Sequence, residues 1–160
     1  MKTIPLGRGK VTLVNNADYL WLSHYHWHYK PNKGDPRYGC AVRQVTNLAA
    51  LLPRQKTMFM HRVIMGEPEG ITVDHRNHDS LDNRRRNLRL ATKAQQMMNS
   101  LKMQGTTSRY KGVSRDGNKW RALIYVSGQR ISLGRFTSER KAATAYRRAA
   151  KRYFGEFAYA

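Results

Sequence analysis

The chain has 160 residues and carries 30 Lys and Arg against 10 Asp and Glu, a formal net charge of +20 at pH 7. This charge predicts attraction to a polyanion at physiological salt, and nucleic acid is the first partner to consider. The single cysteine, Cys40, excludes an internal disulfide framework and a cysteine-rich zinc site, and no apolar run approaches the ~18 residues of a membrane span.

The N-terminal part of the chain is predicted to be rich in strands. MKTIPLGRGKVTLV lacks the apolar core and cleavage pattern of a signal peptide, so we expect a cytoplasmic protein that is not secreted. KVTLV and CAVRQV are short runs with β-branched residues, and NNAD between them is typical of a turn. Residues 1–56 are therefore predicted to form a β-rich lead-in to the segments after them.

The segment HYHWHYK places His24, His26 and His28 at every second position. On a strand these three imidazoles would share one face, where they could hold a metal ion. No carboxylate lies nearby in the sequence to orient such ligands. The favoured interpretation is a strand whose histidines form a polar face opposite a buried aromatic face, in support of the fold.

Polar and charged residues are concentrated in ITVDHRNHDSLDNRRRNLRLAT, which follows the short apolar element TMFMHRVIMG. ITVDH predicts a strand, RNHDSLDNRR a loop, RNLRLAT a second strand or helix lead-in, and KAQQMMNS a helix. Phosphodiester hydrolysis needs a base that activates water and a cation that neutralises phosphate charge. His75 is a candidate base, Asp74 is a candidate ligand for a hard cation, and His61 is a further histidine that could face the site.

Neighbouring residues on a regular strand point to opposite faces, so Asp74 and His75 can serve one site only where the strand ends or bends. The segments MHRVIMG and VDHRNHDSLDNRRRNLRLAT, with the helix after them, resemble the HNH endonucleases of the homing type found in phages and bacteria. The resemblance covers about residues 57–100 and implies a ββα-metal fold. It implies one divalent metal bound by Asp74, a general base at His75, and a loop braced by Asn87.

The resemblance also implies a second metal ligand on the helix, at the position of Gln96, where this family has Asn or His. Asn99, one turn further on, is the alternative ligand. Mg²⁺ is the expected ion, Mn²⁺ is expected to be accepted, and no structural zinc is expected. Asn83 and Arg84 match the family's loop and are expected to serve it. The loop and second strand also supply the predicted phosphate contacts Arg84, Arg85, Arg86 and Arg89.

The last third of the chain carries 13 of the 30 basic residues and 3 of the 10 acidic ones. QGTTSR predicts a linker at residues 104–108, which separates a nuclease domain of residues 1–103, with its ββα core at 57–103, from a domain of residues 109–160. In that last domain YKGVS, KWRALIYV and QRISLGRF predict three strands, and SERKAATAYRRAAKRYF predicts a helix ended by Gly155. We expect a three-stranded antiparallel sheet packed on one helix.

Alternation in these strands predicts one apolar face against the helix and one basic, exposed face. YKGV, LGRF and AATAYRRAAKRYFGEFA resemble the APETALA-type DNA-binding domain of plant ethylene-response factors, over about residues 108–158. That resemblance implies docking of the exposed face in the major groove. Several base-reading residues of the plant domain are replaced, so a different target is expected. The predicted DNA-binding residues of this domain are Lys111, Arg115, Arg121, Tyr125, Arg130 and Ser132.

The sequence thus predicts an α+β protein that acts as a metal-dependent endonuclease on double-stranded DNA, as a monomer, without a membrane or small-molecule partner. Two alternatives stay open. The first is a DNA-binding or regulatory protein whose nuclease site has decayed, which the Gln96 position favours. The second is an RNA-binding protein, which we consider weaker because Tyr125 is the one aromatic residue predicted on the basic face.

Overall fold

The computed structural model of the protein describes residues 1–33, 38–47, 54–100 and 105–158. These residues belong to two compact units, Met1–Thr92 and Lys93–Ala160, each built from short strands and helices. The predicted α+β class is confirmed. Within the described part of the chain, no helix is both long enough and apolar enough to cross a membrane.

The first unit begins with a hairpin, a helix and an antiparallel sheet, which confirms the predicted β-rich lead-in. Strand β1 pairs with β2, and the next sheet has the order β3-β4-β5. Period-two alternation in VTLV buries Thr12 and Val14 and leaves Val11 exposed. The elements are β1 Lys2–Pro5, β2 Val11–Val14, α1 Asn16–Leu22, β3 His28–Pro31, β4 Gly39–Asn47 and β5 Arg54–Phe59.

The rest of the first unit is a short helix and a polar hairpin, as the pattern of RNHDSLDNRR between two apolar runs predicts. Strands β6 and β7 are antiparallel, and a 3-10 helix leads into β7. The elements are α2 Met60–Ile64, β6 Thr72–His75, the 3-10 helix Arg85–Asn87 and β7 Leu88–Ala91. The core under them includes Ile4, Leu6, Val14, Leu22, Trp27, Met60, Ile64, Val73 and Leu88.

The prediction of one strand through HYHWHYK is wrong, because the chain turns there before β3 begins at His28. The backbone N–H of Tyr25 donates to the carbonyl of Leu22 at 3.2 Å, so helix α1 is followed directly by a turn. Trp27 is buried, and its Nε1 donates to the same carbonyl at 3.0 Å. This anchor holds the turn, and the three histidines do not line one strand face.

The second unit confirms the predicted three-stranded sheet with one packed helix. The strand order is β10-β9-β8, all antiparallel, and helix α4 contacts each strand. A further helix, α3, packs against α4 and the closing 3-10 helix. The elements are α3 Lys93–Asn99, β8 Val113–Asp116, β9 Lys119–Val126, β10 Gln129–Phe136, α4 Glu139–Phe154 and the 3-10 helix Gly155–Phe157.

Small residues let helix and sheet approach closely in this unit. Ala142 and Ala143 of α4 pack on Val113 and Ala122, all of them buried. Gly112 has φ +69°, and a Cβ there would lie 2.1 Å from the ring of Tyr146. A side chain at this position would therefore be strained and would displace the helix.

The predicted domain bounds stay a prediction, and the compact units divide the chain at a different place. Helix α3, which the sequence places at the end of the nuclease core, belongs to the second compact unit. Residues 101–104, which include the start of the predicted linker, lie outside the described residues. The linker at residues 104–108 stays a prediction.

Candidate active site at the β6–β7 hairpin

Strand β6 ends at His75, at the start of the polar loop. In the antiparallel register Asp74 lies opposite Arg89 and His75 opposite Leu88. After His75 the backbone turns, with the N–H of Arg76 donating to the Asn87 carbonyl at 2.9 Å and that of His78 to the His75 carbonyl at 3.1 Å. The two candidate catalytic residues thus stand at a strand end, where neighbouring side chains enter different surroundings.

Asp74 is held by an ion pair with Arg89. The Nε and Nη2 atoms of Arg89 donate to Asp74 Oδ2 at 2.9 and 2.8 Å, and the two side chains are 5% and 8% exposed. Facing positions on β6 and β7 put the carboxylate and guanidinium together. Arg89, predicted as a phosphate contact, is therefore buried beside the candidate metal ligand, and that role would require the ion pair to open.

The donor chemistry at this site fits a divalent cation in kind. In the first unit Asp74 offers a carboxylate oxygen, which is a hard ligand, and Mg²⁺ is commonly held by one or two protein ligands together with water and phosphate oxygens. Among the described residues no group of three or more His, Cys, Asp or Glu is placed to hold a metal. Gln96 is exposed on α3, whereas Asn99 is 3% exposed.

The His75 imidazole contacts two polar side chains. Its Nε2 lies 3.0 Å from Asn83 Oδ1, and its ring is edge-on to that of His61 with centroids 5.1 Å apart. Burial lowers the pKa of His75, against the opposing effects of Asn83 and of nearby aspartates. The pKa of His61 falls to about 3, chiefly through burial and then through the charges of His75 and Arg62. Both imidazoles are therefore neutral near pH 7, as a general base must be.

Asn87 braces the loop on both sides. Its Oδ1 accepts the backbone N–H of Asn77 at 3.1 Å, and its Nδ2 donates to the backbone carbonyl of Asp82 at 2.8 Å. The side chain is buried, and its bond to the Asp82 carbonyl is shielded from water. The contacts are of the kind that the family resemblance implies for this position.

The arginine run beside Asn87 is partly neutralised by the protein itself. Arg84 Nη2 lies 2.5 Å from Asp82 Oδ2, and this guanidinium holds the pKa of Asp82 below its ordinary value. Arg85 Nη2 lies 2.8 Å from Asp18 Oδ1 on helix α1, where the aspartate is buried. Arg86 is exposed, and no ion pair of its side chain is found within the described residues. Of the run, Arg86 is the residue whose charge faces solvent without a carboxylate.

The second unit brings four of its predicted DNA-binding residues to one sheet face. Arg121, Tyr125, Arg130 and Ser132 are exposed, and Tyr125 stands directly opposite Arg130. Arg115 instead shares the face of Trp120, with its guanidinium 5.0 Å from that ring. We call the exposed side of the sheet that carries Arg121, Tyr125, Arg130 and Ser132 the basic face. Arg115 of β8 was predicted on this face and does not lie on it.

Strict alternation in β10 missed a member of the basic face. A bulge between Ser132 and Gly134 shifts the register, so Arg135 stands opposite Arg121 instead of facing the helix. Its Nε lies 2.9 Å from Asp116 Oδ2. The signal was Gly134, because a glycine inside a strand pattern often marks a bulge; its φ is +113°.

Lys111 lies at the C-terminal end of helix α3. Its Nζ donates to the carbonyls of Met97, Met98 and Ser100 at 3.1, 2.8 and 2.7 Å. These bonds satisfy carbonyls that the helix end leaves without partners. Burial lowers the pKa of Lys111 to about 8. The residue is engaged in fixing α3, and its predicted contact with DNA would compete with these bonds.

Comparisons with known proteins find similarity to HNH endonucleases. The sequence profile of the HNH endonuclease family matches residues 59–98, which span α2, the hairpin and most of α3. An uncharacterized HNH endonuclease of Acanthamoeba polyphaga mimivirus is 31% identical over 157 residues, which cover 96% of this chain and 76% of the viral protein. No solved structure matches the chain. With the hairpin, its histidine and its bracing asparagine in place, the chain belongs to the HNH endonuclease family.

Proposed function

We propose that the protein is a metal-dependent DNA endonuclease in which His75 is the general base. The observation that carries this proposal is the position of the His75 imidazole at the end of β6, with Nε2 at 3.0 Å from Asn83 Oδ1 and the ring against His61. A neutral, fixed imidazole accepts a proton from water, which makes that water nucleophilic toward phosphorus. Cleavage is expected to leave a 5′-phosphate and a 3′-hydroxyl, by family resemblance.

Asp74 and Gln96 would hold the divalent cation, with Mg²⁺ expected and Mn²⁺ accepted. When bound, the cation neutralises charge on the phosphate and the leaving oxygen. Arg89 Nη2 lies 2.8 Å from Asp74 Oδ2, and this ion pair keeps the carboxylate oriented between the two strands. Asn87 and the Asp82 carbonyl keep the loop shaped around the base. These residues position the reacting groups, and His75 moves the proton.

The basic face is proposed to dock on double-stranded DNA. Arg121, Arg130 and Tyr125 are exposed on one sheet face of a unit whose last 55 residues, 106–160, hold 13 basic and 3 acidic residues. This arrangement supports the proposed likeness to the APETALA-type domain, in which a sheet enters the major groove. Exposed Arg86 is the proposed phosphate contact near the hairpin, whereas Arg84 and Arg85 are held by aspartates.

Two observations favour a second candidate, a DNA-binding protein whose nuclease site has decayed. Asp74 Oδ2 is already bound by a guanidinium, and the helix ligand position holds a glutamine. Gln has the amide oxygen of Asn on a longer stem, and Mg²⁺ tolerates distorted octahedral geometry poorly. In this alternative the basic face alone would carry the function.

Cleavage of supercoiled plasmid DNA distinguishes the two candidates. The parent protein is expected to nick or linearise the plasmid with Mg²⁺ or Mn²⁺ and to be inert with EDTA. The Gln96→Asn variant tests the metal ligand. If the parent is inert and Gln96→Asn cleaves, the site has decayed; if the parent cleaves equally in EDTA, metal dependence is refuted.

A further inference from the structure

A chain of three hydrogen bonds connects the lead-in strand β2 to the candidate base. Thr12 Oγ1 donates to the backbone carbonyl of Leu81 at 2.7 Å, and Asn83 Nδ2 donates to Thr12 Oγ1 at 2.8 Å. Asn83 Oδ1 then lies 3.0 Å from His75 Nε2. Thr12 and Asn83 are both fully buried, so the bond between their side chains is shielded from water.

The donor and acceptor of each bond follow from the Leu81 carbonyl, where the chain of bonds ends. The Leu81 carbonyl has no hydrogen, so the single hydroxyl hydrogen of Thr12 is committed to it. Thr12 Oγ1 can therefore only accept from Asn83, which must present its NH₂ group to the threonine and its oxygen to His75. An amide oxygen only accepts, so the hydrogen between the two side chains belongs to His75 Nε2.

We propose that Thr12 is a positioning residue that fixes, through Asn83, the neutral tautomer of His75 with hydrogen on Nε2 and the lone pair on Nδ1. This inference rests on the proposed function, in which His75 takes a proton from water. Nδ1 is then the atom that accepts that proton. The lead-in hairpin, outside the ββα motif itself, thereby sets the chemistry of the base.

Backbone bonds hold Thr12 in place independently of its hydroxyl. The Leu13 N–H donates to the Leu81 carbonyl at 2.8 Å, and the Asn83 N–H donates to the Leu13 carbonyl at 2.9 Å. Strand β2 and the loop therefore stay paired when the threonine hydroxyl is removed. Thr12→Val has nearly the same shape and lacks only the relay. Without it, the Asn83 amide can turn over and present NH₂ to His75, which requires the other tautomer.

The direct test is nitrogen NMR of the full-length protein with ¹⁵N-labelled histidine, at about pH 8, above the ordinary histidine pKa. Loss of one signal set in His75→Gln assigns the His75 ring. The parent is expected to show a single tautomer with hydrogen on Nε2. Thr12→Val is expected to show a mixture of tautomers, and Thr12→Ser to restore the parent spectrum. Thr3→Val, on the neighbouring strand β1 at an exposed position, is the matched control and leaves the spectrum unchanged.

Plasmid cleavage gives the second readout. Thr12→Val is expected to lower the maximal rate roughly 10- to 100-fold, as the loss of a group that orients a functional histidine does, with DNA affinity unchanged and with recovery in Thr12→Ser. A parent spectrum with hydrogen on Nδ1, or a Thr12→Val spectrum identical to the parent's, overturns the proposal without any activity measurement. Retained cleavage in His75→Ala would refute the proposed function instead and would leave the tautomer result intact.

Discussion

Arg85 and Arg89 of the β6–β7 hairpin and Arg121 and Arg130 of the C-terminal sheet have the same chemistry and differ in their ion-pair partners. In the hairpin, Arg89 is 5% exposed and bound to Asp74, and Arg85 is bound to the buried Asp18. On the basic face, Arg121 and Arg130 are exposed, and no ion pair of either is found within the described residues. The first group holds the hairpin loop together, and the second is open to solvent.

This contrast shows that net charge alone does not indicate which arginines are available to bind a partner. A formal charge of +20 counts every arginine alike, although a buried ion pair presents no field to DNA. Buried carboxylates next to the loop form ion pairs with nearby guanidiniums, and these arginines then stabilise the fold. Three predictions test this division of labour, from the largest expected effect to the smallest.

Removal of the buried guanidinium is expected to have the largest effect. Arg89→Met leaves the Asp74 carboxylate buried without this partner and should lower the free energy of unfolding by roughly 3–5 kcal/mol. Arg121→Met, the matched change on the basic face, should stay within about 0.5 kcal/mol of the parent. Urea denaturation followed by circular dichroism measures both. Equal losses in the two variants would contradict the division.

The free energy of unfolding should also depend on pH through His61, which lies beside the hairpin. The folded protein keeps this imidazole neutral down to its pKa of about 3, whereas an unfolded histidine takes up a proton near pH 6.5. Between these values the unfolded state binds more protons, so stability falls as the pH drops. At about pH 5 the cost is about 2 kcal/mol.

His61→Phe cannot titrate and keeps an aromatic ring against His75. The free energy of unfolding should therefore fall by about 2 kcal/mol less in this variant than in the parent between about pH 7.5 and pH 5. His24→Phe, at an exposed histidine, is the control and should follow the parent. Parallel pH curves for the parent and His61→Phe would show that His61 is protonated in the folded state.

The smallest effect concerns DNA affinity, under the proposed function. Arg121→Gln and Arg130→Gln should each reduce the slope of log affinity against log salt by about 0.9, as loss of one phosphate contact does. Both variants should unfold like the parent. Arg85→Gln should leave the slope unchanged and lower the free energy of unfolding, because its guanidinium is bound to Asp18 at 2.8 Å. A reduced slope in Arg85→Gln would show that this ion pair opens on DNA.

Periodicity and turn residues predicted much of this molecule. The strand of ITVDH, the polar loop, the C-terminal sheet and the helix ended by Gly155 follow from local patterns. The loss of alternation in β10 did not follow, because a bulge at Gly134 depends on the partner strand. The prediction of a strand through HYHWHYK was wrong, because the burial of Trp27 outweighs the strand-like alternation of the segment.

For the candidate site, the resemblance implies residues but does not give their partners. Asp74, His75 and Asn87 stay predicted site residues, and their neighbours depend on tertiary contacts. Arg89 meets Asp74 through the strand register, and Thr12 meets Asn83 across 71 positions of sequence. No local pattern encodes a pairing between a lead-in strand and a loop so distant in the chain.

The most direct test of the central claim is the single-turnover cleavage rate of His75→Ala beside the parent, with Mg²⁺ and protein in excess over plasmid DNA. Binding is measured on the same DNA with EDTA, so that any loss of rate is assigned to chemistry. We predict a fall of about 10²- to 10⁴-fold in rate with equal binding. A parent that cleaves and a His75→Ala variant that cleaves at the same rate would contradict the assignment of His75 as the general base.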